Sequence, residues 1–307
     1  MSTVGQTYYD AIQEHVQELL DLQLLKESGA DIGLFIPTGT PEWDAAGGTE
    51  RGVLTITAGG SGEGKSVVKL HLARAAAQAG YTVLLMDFED PKAKTTERTL
   101  AGITGLDSRR IGRLNLTATE RRQVTVAAKT VDWAKRITFF DQLDSVPQIM
   151  RIITESEHDL VIIDYAQILP DVKGEERERM LSNFAKFIAA DAKAKNRGMR
   201  LFSQIKPQVE ERGHSRFDWS KKKDISGFCP VGISDIAWSS AFGQLAKVVE
   251  LLWRPGRWAI KLGVAGQEGI PARDDVLMVI LAKVSFGEEG KLMLAWDGET
   301  STIRSNA

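Results

Sequence analysis

The stretch that decides the fold is Gly59-Gly60-Ser61-Gly62-Glu63-Gly64-Lys65-Ser66. It matches the eight-position P-loop pattern, in which two spaced glycines are followed by Lys and Ser or Thr. Glycines let the backbone curve so closely that its N–H groups face phosphate oxygens, and the N-terminus of a following helix favours negative charge. The pattern predicts a site for ATP in which Lys65 reaches the β- and γ-phosphates and Ser66 binds Mg²⁺.

The segments around this loop predict an α/β fold. A strand over 53–57 precedes the loop, and an amphipathic helix over 65–78 follows it. Further strands are predicted over 82–86, 137–140, 160–163, 200–203, 248–253, 258–262, 276–283 and 292–296. Helices are predicted over 146–154 and 175–195, and a loop over 31–50. The alternation indicates a mostly parallel central sheet flanked by helices.

An apolar strand closed by an acid follows the loop after about a hundred residues, at Leu160-Val161-Ile162-Ile163-Asp164. This is the Walker B form. It predicts that Asp164 lies at the carboxyl end of its strand, beside the P-loop, where it binds Mg²⁺ directly or through water.

Hydrolysis also requires a group that deprotonates the attacking water. Tyr165, not Glu, follows Asp164, so the acid must come from another strand. The strand over 82–86 runs into three acids, of which Glu89 is the candidate catalytic base and Asp87 and Asp90 are competitors. Gln204, at the end of the strand over 200–203, can hydrogen-bond a γ-phosphate or a water.

Composition limits the possible partners and location. The 307 residues carry a formal net charge of −2, so attraction of nucleic acid over the whole surface is not expected, and any DNA contact must be local. The polar, basic segment from Lys206 to Lys223 offers one, with Lys206, Arg212 and Arg216 as candidates; a solvated surface loop is the alternative. The single cysteine forms no internal disulfide. No signal peptide and no apolar run of ~20 residues is present, so a cytoplasmic protein without membrane contact is expected.

The N-terminal region is predicted to be one helix over 7–27, ended near Gly29. Its leucines either pack on the helix's own domain or dock on a neighbouring subunit. The predicted domains are an arm or linker helix over 1–35 and an ATPase domain over 36–307.

Together these motifs resemble the DnaB-like hexameric replicative helicases, within the RecA-like class, over residues from roughly 36 to 300. The most family-specific stretch is Asp164-Tyr165-Ala166-Gln167-Ile168-Leu169. The other resembling segments are 36–48, Asp87-Phe88-Glu89, Ser203-Gln204, Ser234-Asp235-Ile236 and Ala282-Lys283. The resemblance implies a RecA-like core and a homo-hexameric ring, with ATP at each subunit boundary. It also implies that Lys283 reaches the neighbour's nucleotide, that single-stranded DNA is the track, and that a primase or loader is a partner.

The chain departs from the family pattern at three places. Only about 35 residues precede the matched region, where bacterial members carry a front domain; phage and plasmid relatives vary more, and a phage origin stays open. Ser285 stands where the family carries an arginine finger, so Lys283 acts alone, Arg254 or Arg257 substitutes, or hydrolysis is slow. The channel segment lacks the charges of relatives. Its candidate DNA contacts are Trp238, Ser239 and Ser240.

Two other functions fit the same motifs. One is a RecA-like recombinase or mediator that forms filaments on DNA, although the Tyr and Gln after Asp164 favour the helicase. The other is a nucleotide-dependent loader or scaffold with weak hydrolysis, which is favoured by Ser285.

Overall fold

The computed structural model describes residues 7–28, 33–142, 145–164, 175–206, 231–236, 239–261, 263–267, 270–285 and 288–306. The chain divides into two compact units, Met1–Leu34 and Phe35–Ala307.

The first unit contains helix α1, Tyr8–Glu27, close to the predicted helix over 7–27. Side-chain hydrogen bonds four residues apart, from Gln17 to Asp21 (3.0 Å) and from Gln23 to Glu27 (2.9 Å), support the helix. Its described large apolar side chains are exposed: Tyr8, Tyr9, Ile12, Val16, Leu19, Leu20 and Leu24. The helix therefore presents an apolar surface that this chain does not bury.

The second unit is built on one large sheet. Its strands are β3 (Leu54–Gly59), β4 (Val83–Asp87), β5 (Ile137–Phe140), β6 (Leu160–Asp164), β7 (Gly198–Gln204), β8 (Val248–Trp253), β9 (Val276–Lys283), β10 (Gly290–Asp297) and β11 (Thr302–Arg304). Their order is β11-β10-β9-β8-β3-β7-β6-β4-β5. The pairs from β8 to β5 are parallel, and β9, β10 and β11 add antiparallel strands at one side. The predicted α/β fold with a mostly parallel sheet is confirmed.

Helices cover both faces of this sheet. They are α2 (Pro41–Ala45), α3 (Lys65–Gln78), α4 (Lys92–Thr104), α5 (Ser108–Gly112), α6 (Ala118–Ala127), α7 (Val146–Glu155), α8 (Glu175–Lys195), α9 (Ser239–Leu245) and α10 (Pro255–Lys261). Leu84 and Met86 of β4 pack into one apolar cluster, whereas Val83 and Leu85 pack into the other. Successive strand residues point to opposite faces, so a strand covered on both sides is apolar throughout.

The sequence-based expectation was wrong at residues 258–262. Trp258 was expected to begin a strand, but it lies within helix α10. Proline suits the first helical position, and Pro255, Trp258 and Ala259 are buried at the spacing of one helix face. The segment 31–50 was expected to be a loop, yet it contains α2 and the short paired strands β1 (Phe35–Ile36) and β2 (Thr49–Glu50).

A buried polar network joins this N-terminal segment to the central strands. Glu250 of β8 accepts hydrogen bonds from Trp43 Nε1 (2.9 Å) and from the Thr57 hydroxyl (2.8 Å), and forms an ion pair with Arg200 of β7. Arg200 Nη2 also donates to the Thr49 hydroxyl at 2.9 Å. Because a buried charge is costly unless it is paired, this network fixes α2 and β2 against the sheet.

Within the described residues, no helix combines the length and the apolar character that a membrane span requires.

Candidate nucleotide site

The predicted site residues meet at one edge of the sheet. Gly59 at the end of β3 is paired in register with Gln204 at the end of β7. Asp87 at the end of β4 is paired with Asp164 at the end of β6. The carboxyl ends of parallel strands form the ligand crevice of open α/β sheets. The structure therefore brings the P-loop, Gln204 and the acids together.

The P-loop lies between β3 and α3. Gly62 (φ 76°) and Gly64 (φ 96°) have left-handed backbone conformations that only glycine adopts readily. A Cβ atom added at Gly64 would lie 2.9 Å from the ring of Trp296. Lys65 Nζ donates to the carbonyl oxygens of Gly59 and Gly60, at 3.0 Å each, so the loop curves around the ammonium group. Burial lowers the pKa of Lys65, and the negative charges of Glu89 and Asp164 oppose this.

Glu63, inside the P-loop, connects the loop to the segment after β8. Its side chain is 2% exposed. It accepts hydrogen bonds from the backbone N–H of Arg254 (2.7 Å), from Arg257 Nη1 (2.5 Å) and from Trp258 Nε1 (2.8 Å). Burial raises the pKa of Glu63, whereas Arg257 lowers it. The loop is thus held by residues about 190 positions away in the sequence.

Arg254 makes a second connection to the same loop. Its Nη1 donates to the Gly62 carbonyl at 2.6 Å, and its guanidinium lies 4.4 Å from the ring centre of Trp296. Arg254 also forms an ion pair with Asp274. Arg254 and Arg257, the residues suggested as substitutes for the missing finger, therefore both contact the P-loop of their own chain.

Lys69, one helical turn after Lys65, was missed by the sequence reasoning. Its Nζ lies 2.7 Å from Asp87 Oδ2 and hydrogen-bonds Asp164 Oδ2, and all three side chains are fully buried. Burial acts to lower the pKa of Lys69, but the two carboxylates outweigh it and the pKa is raised. A lysine in a helix face that is otherwise apolar was the available signal, because lysine is almost never fully buried unless it is paired.

Of the three acids after β4, two are engaged within the chain. Asp87 accepts hydrogen bonds from the Thr95 hydroxyl (2.9 Å) and from the backbone N–H of Asp90 (3.1 Å). Asp90 forms an ion pair with Arg98 and hydrogen-bonds the Ser66 hydroxyl.

The third acid, Glu89, is exposed and forms no ion pair in the part of the chain that the structure describes. Its pKa is raised, because the surrounding protein displaces water from the carboxyl and Asp164 adds negative charge, while Lys65 opposes the shift. This geometry favours Glu89 as the base.

Other predicted residues lie farther from the P-loop. Lys283, at the end of β9, pairs in register with Val249 near the start of β8 and donates to the Gly243 carbonyl at 3.1 Å. Because β9 runs antiparallel to β8, Lys283 lies at the sheet edge opposite the P-loop of its own chain. Lys206, two residues after β7, donates to the Ser234 carbonyl at 2.8 Å.

Some candidate residues fall outside the described part of the chain. These are Tyr165 to Leu169, Arg212, Arg216 and Trp238. Ser239 and Ser240 begin α9, but their side chains are outside the description. Their predicted roles in DNA binding remain predictions.

The residues present fit a Mg²⁺ ion that arrives with a nucleotide. Asp164 Oδ1 is buried and has no hydrogen-bond partner among the described residues. Those residues also contain no cluster of three or more His, Cys, Asp or Glu side chains suited to a metal. Mg²⁺ usually takes one or two protein carboxylates plus substrate phosphates, not a cage of protein ligands. Asp164 and the Ser66 hydroxyl are the groups that would hold it.

Comparison with known proteins agrees with this arrangement. Residues 36–305 match the family model "DnaB-like helicase C terminal domain". The chain belongs to the DnaB-like helicase family. Among solved structures, the ATPase domain of a DnaB-like helicase is 21% identical with a TM-score of 0.75, covering 95% of this chain and 99% of that one. "The Structure Of A DnaB-Like Replicative Helicase And Its Interactions With Primase" is 21% identical with a TM-score of 0.74. It covers 95% of this chain, which spans 66% of that protein. No curated protein matches.

The family assignment confirms the suspected resemblance, the RecA-like fold and the general function, a replicative-type helicase motor. DnaB-like helicases are nucleotide-hydrolysing enzymes. The family match also favours the helicase over the recombinase.

Proposed function

We propose that this chain is an ATP hydrolase that uses Mg²⁺-ATP to move along single-stranded DNA as a ring-shaped DNA helicase. The observation that carries the proposal is the meeting of the P-loop, Asp164 and Glu89 at one edge of the parallel sheet.

The chain's own residues divide the work of hydrolysis. The P-loop N–H groups and the Lys65 ammonium bind the phosphates, after Lys65 exchanges the Gly59 and Gly60 carbonyls for phosphate oxygens. Glu89 accepts a proton from the attacking water, and its raised pKa suits that role. Gln204 contacts the γ-phosphate from the neighbouring strand end. Mg²⁺, held by Ser66 and Asp164, neutralises charge on the phosphates.

Assembly of a homo-hexamer is supported by two features of the surface. Helix α1 exposes an apolar face, and its sequence contains four acids before residue 22: Asp10, Glu14, Glu18 and Asp21. The second unit has a cavity of about 360 Å³ between α3, α4 and β5, lined by apolar side chains such as Leu100, Ile103 and Trp133, and by Arg74 and Lys92. Apolar contact and opposite charge make α1 of a second copy the fitting occupant.

A ring also explains the position of Lys283. It lies far from its own P-loop, so it would act at the nucleotide of the next subunit. A primase or loader partner and a cytoplasmic location stay predictions, since one similar structure is described with primase.

The test is ATP turnover with and without single-stranded DNA, measured alongside native mass. Stimulation by DNA and a mass of six chains are expected. Lys65→Ala should abolish turnover, and Glu89→Gln should reduce it strongly while nucleotide binding remains. The control Lys94→Ala removes an exposed lysine paired with Glu97 and should match the parent. A monomer in the presence of ATP and DNA, or an active Lys65→Ala variant, would contradict the proposal.

A loader or scaffold with weak hydrolysis is the second candidate. Ser285 replaces the family's arginine and hydrogen-bonds Glu50, while Arg254 and Arg257 are occupied at their own P-loop. Low turnover without DNA stimulation, together with tight ATP binding, would favour this candidate over the motor.

A further inference from the structure

Lys69 is the central charge of a buried cluster behind the P-loop. Its Nζ contacts Asp164 Oδ2 and Asp87 Oδ2, and lies 4.0 Å from Asp90 Oδ2. Lys69, Asp87 and Asp164 are 0% exposed. Such burial of a cation occurs where the pairing has a defined purpose, because the desolvation penalty is large.

The cluster leaves Asp164 with one available oxygen. Asp87 and Asp164 stand directly opposite each other on adjacent strands, where like charges repel. Lys69 lies between them and takes Oδ2 of each. Oδ1 of Asp164 is buried and has no partner in the described part of the chain.

Asp87, in contrast, has both oxygens occupied. Its Oδ1 accepts from the backbone N–H of Asp90, and its Oδ2 accepts from Thr95 and contacts Lys69. The second acid at this sheet edge is therefore closed to a metal ion.

We infer that Lys69 is a positioning residue that holds Asp164 by Oδ2, so that Oδ1 alone is presented to the metal ion of the bound nucleotide. The inference rests on the proposed function, since it concerns how the same site holds Mg²⁺. Groups that orient a metal-binding carboxylate typically change metal affinity or activity by about 10–100-fold when they are removed.

The experiment measures Mn²⁺ binding by electron paramagnetic resonance, with a non-hydrolysable ATP analogue, in the full chain. Lys69→Met should weaken Mn²⁺ binding by about 10–100-fold. In turnover assays, kcat should fall while KM for ATP changes little, because the P-loop is intact. Lys94→Met, at an exposed lysine, is the matched control and should equal the parent.

The double variant Lys69→Met, Asp87→Asn separates positioning from charge balance and guards against misfolding of the single variant. It removes one positive and one negative charge, so the buried cluster keeps its net charge. Weak Mn²⁺ binding in the double variant supports positioning of Asp164. Parent-like or tighter Mn²⁺ binding in either variant would overturn the inference, since loss of a nearby cation alone would tighten binding. If the parent itself binds no nucleotide, the proposed function fails instead.

Discussion

Replacement of Glu63 by alanine should both destabilise the protein and weaken nucleotide binding. The change removes the carboxylate that accepts from Arg254 N, Arg257 and Trp258 Nε1. Breaking a buried ion pair costs about 3–5 kcal/mol when the remaining charge stays buried. Arg257 is 30% exposed and can regain water, so the lower end applies. We expect the free energy of unfolding to fall by about 3 kcal/mol.

Thermal and urea unfolding measure this loss directly. For a unit of this size, about 3 kcal/mol corresponds to a decrease in Tm of roughly 6–12 °C. The control Glu157→Ala removes an ion pair with Lys195 in which Glu157 is 84% exposed, and should leave the unfolding midpoint unchanged.

Nucleotide affinity is the second measurement on the Glu63→Ala variant. Without Glu63 the loop keeps only the Arg254–Gly62 contact to the segment after β8. A roughly tenfold weaker Kd for a fluorescent ATP analogue is expected, equivalent to about 1.4 kcal/mol. If Glu63→Ala melts with the parent and binds the analogue equally well, the idea that this buried carboxylate holds the loop is refuted.

Three further changes test other parts of the structure. Gly64→Ala should reduce affinity for the ATP analogue at least tenfold, because the new Cβ meets Trp296 at 2.9 Å and φ is 96°; unchanged binding in a titration would count against the loop geometry. Burial lowers the pKa of His71 to about 4. Between pH 6.5 and 4 the unfolded chain therefore binds a proton that folded His71 does not, and stability should fall with decreasing pH by on the order of 3 kcal/mol. Urea unfolding of His71→Asn should show a flatter pH dependence, and an equal slope would exclude His71 as the cause. Leu24→Asp on α1 should reduce the native mass of the assembly, whereas an unchanged hexamer would mean that this face is not an interface.

The sequence predicted those parts of the fold and site that depend on neighbouring residues. The P-loop is eight contiguous residues, and the apolar run before Asp164 is typical of a buried parallel strand. Helix α3 was predicted with its observed bounds, Lys65–Gln78, because its apolar periodicity and Gly80 both lie within the segment.

Long-range contacts could not be predicted in the same way. The partners of Glu63 lie more than 190 residues away, and nothing in the local pattern indicates that β8 ends beside the P-loop. Helix α10 was mistaken for a strand because its short apolar run fits both periodicities, and burial of Trp258 against Glu63 decides between them. Helices α4, α5 and α6 lie between β4 and β5, in a polar region that gave no clear period.

The polar network around Glu250 has a practical consequence for making shorter versions of the protein. Trp43 and Thr49 precede the P-loop, yet they complete the hydrogen bonds of Glu250 and Arg200 in the middle of the sheet. A truncation that starts after Trp43 would leave one oxygen of a fully enclosed carboxylate without its donor. The truncation boundary for an isolated ATPase unit must therefore lie upstream of α2, although every nucleotide-site residue lies downstream of it.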